Sequence, residues 1–275
     1  MAILTFLLLF AAPLGLHAAY WWQQDHPANW AMADWSSTHT LPPAAMSRPA
    51  MIRVYAARTG RWKGVFATHS WIVLKDEGAG SYERWDKVGW GHPVRRNNYA
   101  PDGRWYGNTP ELVHEIRGAE AARLIPMIRT NIANYAFNAR GAYRIWPGPN
   151  SNTFVASVLA NIPELAATLP PTAIGKDYPF DGRWFAPTPS GTGYRVSLGG
   201  YAGITAAWVE GLEVSVLGAV VGLDLQYPAI KLPGFGRLGL PRPVTAVQDR
   251  RISRVAVSSA KSLFAMLSAQ ARLRS

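Results

Sequence analysis

From Met51 onward, apolar and polar positions alternate over three stretches of the chain, as they do in β-strands. Residues 52–56 give the first strand, residues 66–74 the second and residues 81–90 the third. The run 76–80, Asp-Glu-Gly-Ala-Gly, has the composition of a hairpin loop between the second and third strands. The pattern therefore predicts that a β-rich domain begins at Met51.

Helical spacing of apolar residues appears further along the chain. One helix is predicted from the Thr-Pro-Glu run at 109–111, which combines a capping hydroxyl, an early proline and an acid, to Gly118. A second helix is predicted over residues 119–134, and a third begins after Asn150. The third helix has few polar positions, which predicts that it is central and buried.

Residues 172–240 return to the composition of strands and loops. The stretch 208–225 is apolar, but three acidic residues and several glycines interrupt it. This composition argues against a membrane-spanning helix and predicts two buried strands. The whole pattern predicts an α+β fold, in which a small antiparallel sheet packs on a central helix that begins near Ser151.

The first 22 residues carry no charged side chain and are mostly apolar. They predict a secretory signal peptide or an uncleaved membrane anchor, and a buried N-terminal helix is a further alternative. A cut after Ala18 would place the large Leu16 at a position that favours small residues, whereas the aromatic run 20–22 suits a membrane interface. The predicted location is the inner membrane, by anchoring, or the periplasm.

The predicted domain of residues 51–241 is flanked by two segments of different composition. Residues 23–50 are rich in Pro, Ala, Ser and Trp without a sustained period, which predicts a linker or an arm laid on the domain. Residues 242–275 carry seven Lys or Arg against Asp249 alone, with apolar residues at helical spacing. They predict a basic amphipathic tail that can rest on an anionic membrane.

Composition limits the chemistry. The formal net charge is +11, but much of it lies in the tail, and no zinc-finger spacing or RNA-binding motif is present, so nucleic acid is not the predicted partner. The absence of cysteine excludes disulfides, thiolate catalysis and cysteine metal sites. Neither Gly-x-Ser-x-Gly nor His-Glu-x-x-His occurs. We therefore predict no metal and no cofactor.

Two residues could form a nucleophile and its base. Ser151 follows Asn150 at the predicted helix start, where backbone N–H groups and the helix dipole can stabilise an oxyanion. His69 lies near the beginning of a predicted strand, and imidazole can accept a hydroxyl proton near neutral pH. Glu83 or Asp86 on the next strand could orient the imidazole. At most one of these carboxylates shares a strand face with it, because they are an odd number of residues apart.

Each of these residues also has a purely structural interpretation. Asn150 and Ser151 could serve only as a helix cap. His69 could be a buried structural histidine, and Glu83 and Asp86 could be solvated. The two interpretations differ in whether the fold brings His69 against Ser151.

Six runs of the sequence carry a family resemblance: GRWKGVFATHSWIV, VGWGHPVRRN, DGRWYGNTPEL, YRIWPGPNSNTFVASVL, LPPTAIGKDYPF and AIKLPGFGRLG. Over about residues 50–240, with PGPNSNTF as its motif, the chain resembles an uncharacterised, mostly proteobacterial family defined only as a domain of unknown function. This resemblance implies no activity.

A more distant resemblance rests on the His-x-Trp strand at His69 and the Asn-x-x-Thr-Phe helix start at Asn150. This order is similar to circularly permuted papain-like amidases and acyltransferases, the NlpC-like and lecithin-retinol-acyltransferase-like group. The resemblance implies that His69 matches the base and that Glu83 or Asp86 matches the second polar residue. Ser151 would then stand in place of the cysteine, and its hydroxyl would depend on His69 for activation.

The predicted function is a cell-envelope hydrolase or acyltransferase of amide or ester bonds, with His69 as base, Ser151 as nucleophile and Glu83 or Asp86 as orienting group. The alternative is a non-catalytic envelope binding or structural protein that retains a degenerate papain-like cleft. The predicted partners are a membrane surface, through the N-terminal segment, and an envelope component, lipid or peptide.

Overall fold

The computed structural model describes residues 1–244, which form an α+β fold with two antiparallel sheets. The predicted fold class is therefore confirmed. Most of the predicted basic tail, residues 245–275, lies outside the described residues.

The chain begins with one long apolar helix. Its parts are α1 (Ala2–Phe6), a π-helical turn (Leu7–Ala11) and α2 (Ala12–Trp22). The segment Ile3–Trp22 is long and apolar enough to cross a membrane. Both a signal sequence and a membrane anchor have this length and composition. Its C-terminal end is docked on the domain: the His17 ring packs edge-on against Phe235, and Trp21 Nε1 donates to the Arg61 carbonyl at 3.1 Å.

The first sheet contains the predicted strands and places two of them at its centre. The strands are β1 (Met51–Arg58), β2 (Thr68–Lys75), β3 (Glu83–Lys87), β4 (Val94–Arg96) and β5 (Glu111–Arg117). Their order is β4-β3-β2-β1-β5, with all neighbours antiparallel. Because β1 and β2 are covered on both faces, nearly all of their residues are buried.

The prediction of a helix over residues 109–118 is wrong. Residues 111–117 form β5, which pairs with β1, with a register shift between Val54 and Tyr55. The Thr-Pro-Glu signal is local, whereas the free edge of β1 offers a full ladder of hydrogen bonds to a segment that contains the β-branched Val113 and Ile116. Pairing with the sheet therefore overrides the helix signal.

Two helices cover one face of the first sheet. They are α3 (Ala119–Ala133), which continues through Pro126, and α4 (Ser151–Asn161), which is buried over most of its length. Phe154, Val155 and Val158 of α4 join Ile72 of β2 in the main hydrophobic core. The predicted central helix near Ser151 is confirmed by this packing.

The opposite face of the first sheet is covered by the arm of residues 23–50 and by an irregular loop after β4. Trp35 of the arm packs at right angles on Trp105 of the loop, with ring centroids 5.1 Å apart. The buried carboxylate of Asp102 accepts hydrogen bonds from Ser37 Oγ at 2.6 Å and from the backbone N–H of Thr40 at 2.7 Å. The arm is thus laid on the domain by specific contacts.

The second sheet is a meander of seven strands, ordered as they occur in the chain. They are β6 (Phe185–Pro187), β7 (Gly193–Leu198), β8 (Ala202–Ala207), β9 (Gly211–Val216), β10 (Ala219–Asp224), β11 (Ala229–Leu232) and β12 (Gly236–Gly239). Residues 208–225 do form two strands, as predicted, but the prediction that both are buried is wrong. Leu212, Val214 and Leu223 are each nearly half exposed, because the sheet turns its charged side chains inward.

Candidate active site

Antiparallel pairing of β2 and β3 places His69 beside Asp86. The register Ile72↔Trp85 and Val73↔Arg84 puts His69, on β2, and Asp86, on β3, on the same face of the sheet. His69 Nε2 lies 2.8 Å from Asp86 Oδ1, and both side chains are almost fully buried.

Arg84 holds the Asp86 carboxylate ionised. Its Nε donates to Oδ2 at 2.8 Å and its Nη2 donates to Oδ1 at 3.0 Å, so the pair is bidentate. Burial alone would raise the pKa of Asp86, but the Arg84 charge and the hydrogen bonds from His69 and Arg84 outweigh it and lower the pKa to about 2. An ionised Asp86 accepts its hydrogen bond from His69, so the Nε2 atom carries the proton.

The environment of His69 favours its neutral form. Its ring stacks on Trp105, with centroids 3.6 Å apart and planes 5° apart. Burial lowers the pKa of His69, and Arg84 acts in the same direction, although Asp86 opposes them. Because Nε2 is protonated, Nδ1 carries the free lone pair, and it makes no hydrogen bond to any described residue. The imidazole is therefore a base at neutral pH.

Ser151 is the first residue of α4, and Asn150 fixes that helix start. The Asn150 side chain accepts from the N–H groups of Asn152 and Thr153, and Thr153 Oγ1 accepts from the Asn150 N–H in a capping box. Asn150 Nδ2 also donates to the Ile174 carbonyl at 2.8 Å. The cap function predicted for Asn150 or Ser151 thus belongs to Asn150, and the Ser151 hydroxyl takes no part in it.

Tyr143 lies against Ser151. Burial raises the pKa of the Tyr143 hydroxyl to about 12, and its interactions with the side chain and backbone N–H of Ser151 act in the opposite direction. Tyr143 is therefore a neutral hydroxyl at physiological pH and can donate a hydrogen bond.

Ser151 and His69 line one cavity of about 670 Å³. Most of its wall is apolar and comes from the N-terminal helix, the short 3-10 helix after β1 (Arg61–Val65) with Phe66, the loop around Trp146, the β9–β10 turn with the start of β10, and the end of β11. The apolar side chains of this wall include Phe6, Phe10, Leu14, Trp62, Phe66, Ile145, Trp146, Leu217, Val220 and Leu232.

The two residues reach this cavity from different sides of the first sheet. His69 belongs to the face that carries Trp71 and Trp105, whereas α4 packs on the face that carries Ile72. The start of β2 and the start of α4 are joined beside this cavity, where Asn152 Nδ2 donates to the Thr68 carbonyl at 2.9 Å. No hydrogen bond joins His69 to Ser151 among residues 1–244.

Glu83 does not contact His69. It lies on the opposite face of β3, where its carboxylate accepts from Arg129 Nη2 at 2.7 Å and from Trp85 Nε1 at 3.2 Å. Of the two predicted orienting carboxylates, Asp86 is the one beside the imidazole.

Sequence reasoning missed Arg84, Trp105 and Tyr143. The contact between Arg84 and Asp86 could have been predicted from the sequence. Residues two apart on a strand share a face, so an arginine and an aspartate at this spacing can form an ion pair. Trp105 and Tyr143 lie on loops without a periodic signal. Within residues 1–244, no group of three His, Asp or Glu side chains is placed to hold a metal ion.

Residues 49–178 match the family described as protein of unknown function (DUF3750). This match agrees with the predicted resemblance to an uncharacterised family, and it covers the first sheet, α3, α4 and the His69 and Ser151 positions. No curated protein and no solved structure matches the chain.

Proposed function

We propose that this protein is an acyl-transferring enzyme, a hydrolase or acyltransferase of ester or amide bonds, in which His69 activates Ser151. The observation that carries the proposal is the buried His69–Asp86 pair, because His69 lines the same cavity as Ser151, a serine at a helix N-terminus. The order of His69 on β2, Asp86 on β3 and Ser151 at the start of α4 is also the order in permuted papain-like enzymes, and it supports the proposal.

The chemistry begins with proton transfer. His69 Nδ1 accepts the Ser151 hydroxyl proton as Oγ forms a bond to the substrate carbonyl carbon. The tetrahedral intermediate then breaks its bond to the leaving oxygen or nitrogen, which takes the proton back from His69. Water or an acceptor alcohol or amine completes the reaction by releasing the acyl group from Ser151. Asp86 keeps its hydrogen bond to Nε2 throughout and stabilises the transient imidazolium.

The same site offers donors for the oxyanion. The Ser151 backbone N–H is not used by the Asn150 cap, which takes the N–H groups of Asn152 and Thr153. This N–H interacts with the Tyr143 oxygen, which a substrate oxyanion would replace as its acceptor. The Tyr143 hydroxyl is adjacent and neutral. With the positive end of the α4 dipole, these groups favour negative charge at the position beside Ser151.

The apolar wall supports a substrate with an acyl chain. A polar peptide would lose hydration against Phe10, Trp62 and Leu217 without gaining hydrogen bonds, whereas a hydrocarbon chain gains from leaving water. Because Phe6, Phe10 and Leu14 of the N-terminal helix form part of this wall, we propose that the helix is retained as an envelope anchor.

The test is labelling of the full-length protein with a fluorophosphonate probe, which reacts only with an activated serine. Labelling is expected in the wild type, and its loss is expected in Ser151→Ala and His69→Ala. Ser157→Ala is the matched control, because Ser157 lies in the same helix but donates to the Phe154 carbonyl at 2.8 Å and does not line the cavity. Labelling that persists in Ser151→Ala would contradict the proposal.

A second candidate function follows from the separation of His69 and Ser151 by the sheet. If the two side chains do not come within hydrogen-bond reach when a ligand binds, the cavity would serve a non-catalytic binding protein of the envelope. In that case a folded wild-type protein would remain unlabelled but would take up a fluorescent fatty acid such as cis-parinaric acid. Ser151→Ala would then bind it as tightly as the wild type.

A further inference from the structure

The seven-stranded sheet turns its apolar side chains away from the rest of the protein. In β7, β8 and β9, Arg195, Thr205 and Glu213 are buried, whereas Ile204 is 60% exposed and Val214 is 46% exposed. Antiparallel sheets that cover a core in water normally show the reverse alternation, with apolar side chains inside. Packing within the protein therefore does not explain why the apolar side chains of this sheet face outward.

The exposed apolar residues, together with the half-buried Val196 and Val221, form two continuous rows, because residues directly opposite in antiparallel strands share a face. One row is Phe185, Val196, Ile204, Val214 and Val221. The other row is Tyr194, Ala206, Leu212, Leu223, Ile230 and Leu238. We call these eleven residues the outer face. The second row crosses six strands, a width of about 24 Å at ordinary strand spacing.

No charged residue of the seven strands lies on the outer face. Arg195, Glu213, Lys231 and Arg237 fall in one row on the opposite face by register, and Asp224 shares that face. Their charges are paired there. Lys231 Nζ lies 2.5 Å from Glu213 Oε1, and Arg237 Nε lies 2.6 Å from Asp224 Oδ2. An uncharged apolar surface of this extent is unusual on a protein that is surrounded by water.

One end of the seven-stranded sheet, at the β9–β10 turn, is next to the one helix of the described chain that could cross a membrane. The Leu7–Ala11 turn of that helix contacts β10, and Phe10 lines the same cavity as Leu217 at the β9–β10 turn. Leu217 is itself exposed. The helix and the exposed Leu217 turn of the sheet therefore lie at the same corner of the molecule.

The surroundings of the outer face suit a lipid interface. Exposed aromatic rings occur at turns and strand ends beside it, at Trp184, Tyr201 and Trp208. Residues 245–275 follow β12 within a few residues and carry six Lys or Arg against one acidic residue, a charge that anionic headgroups would attract.

We propose that the outer face docks on a lipid bilayer, in addition to the N-terminal helix. Its apolar rows lie in the boundary between headgroups and acyl chains, while the charged row on the opposite face stays in the protein interior. This docking is independent of the acyl-transfer chemistry proposed above, so it can be tested without a substrate.

The test uses the absence of cysteine from the chain, because a single introduced cysteine then takes a fluorophore at one known position. Ile204→Cys and Leu223→Cys place the probe NBD on the outer face, and Met46→Cys places it on the exposed arm as the matched control. Each full-length protein is reconstituted into vesicles of phosphatidylcholine and phosphatidylglycerol. Quenching by dibrominated phosphatidylcholine reports contact with lipid, and quenching by iodide reports contact with water.

The outer-face probes are expected to lose at least half of their emission with brominated lipid and to be protected from iodide. The Met46→Cys probe is expected to show the opposite result. Outer-face probes that brominated lipid does not quench would overturn the proposal. If the probes are protected from both quenchers and the protection disappears on dilution, a second copy of the chain covers the outer face. If the protection disappears when residues 245–275 are removed, that segment covers it.

A charged variant provides a second measurement. Ile204→Glu with Val214→Glu places two carboxylates in the middle of one row, and it should reduce quenching of the Leu223→Cys probe by brominated lipid by at least twofold. Met32→Glu with Met46→Glu makes the same charge change on the arm and should leave that quenching unchanged. Circular dichroism verifies that both variants are folded. Equal quenching in the two variants would contradict docking through the outer face.

Discussion

The imidazole of His69 lies flat on the indole of Trp105, with the ring centroids 3.6 Å apart. This contact shields one face of the imidazole from water and fixes its plane, while Asp86 fixes its tautomer. The strength of His69 as a base and the direction of its free nitrogen thus depend on a loop residue that is 36 positions away in sequence.

The pH dependence of serine labelling should report the pKa of His69. Because burial lowers that pKa, the neutral base persists below the ordinary histidine range. The labelling rate is expected to fall as the pH is lowered, with a midpoint below 6.5. Trp105→Ala should move the midpoint upward, because water then stabilises the imidazolium. Trp62→Ala, which changes the same cavity wall without touching His69, should leave it in place, and a wild-type midpoint above 6.5 would contradict this account.

The charge of Asp86 should matter far more to stability than that of Glu83. Asp86→Asn leaves the fully buried Arg84 without its anionic partner, and we expect a loss of roughly 3–5 kcal/mol in the free energy of unfolding. Glu83→Gln removes a partly exposed pair with Arg129 and should cost less than about 1 kcal/mol. Urea unfolding at pH 7 measures the loss of stability in each variant. Similar losses in the two variants would show that the buried Arg84–Asp86 pair does not stabilise the protein more than the partly exposed Glu83–Arg129 pair.

His114 should make the protein sensitive to acid. Burial lowers the pKa of His114 to about 4, although Glu115 acts in the opposite direction. Between pH 6.5 and 4 the unfolded chain binds a proton that the folded protein does not, so stability falls as the pH falls through this window. From pH 7 to 4.5 the wild type should lose roughly 2–3 kcal/mol more than His114→Leu. Parallel losses in the two proteins would exclude this histidine as the cause.

The N-terminal helix should remain on the functional protein. Removal of residues 1–18 would delete Phe10 and Leu14 from the cavity wall and would break the contact between His17 and Phe235. The chain extracted from its native membrane is therefore expected to have the intact mass of a protein that retains these residues. A mature protein that begins at Ala19 would show that the helix is a cleaved signal.

Strand alternation predicted much of the candidate site but could not complete it. The spacing of Glu83 and Asp86 showed that only one could face His69, yet the choice needed the register with β2, which depends on contacts far apart in sequence. The edge of β1 decided that residues 111–117 pair as a strand instead of forming a helix. Loop residues such as Trp105 carry no periodic signal.

The second sheet shows a different limit of sequence patterns. Alternation of Arg195, Thr205 and Glu213 with apolar neighbours correctly indicates strands, but a period of two residues does not say which face is inside. The usual assumption that the apolar face is buried fails here, because Lys231 and Glu213 form an ion pair in the interior. The location of the apolar face therefore had to come from three-dimensional contacts.

The length of the acyl chain should depend on the N-terminal helix. Leu14 lines the cavity, and Leu14→Trp adds bulk to the wall that a long chain would contact. We expect the ratio of octanoate to acetate hydrolysis, measured with p-nitrophenyl esters, to fall by about tenfold, because each excluded methylene loses part of its transfer free energy. Leu16→Trp is the matched control, since Leu16 is exposed on the same helix and does not line the cavity. If both variants keep the wild-type ratio, the acyl chain does not bind along this helix, even if Ser151 remains the nucleophile.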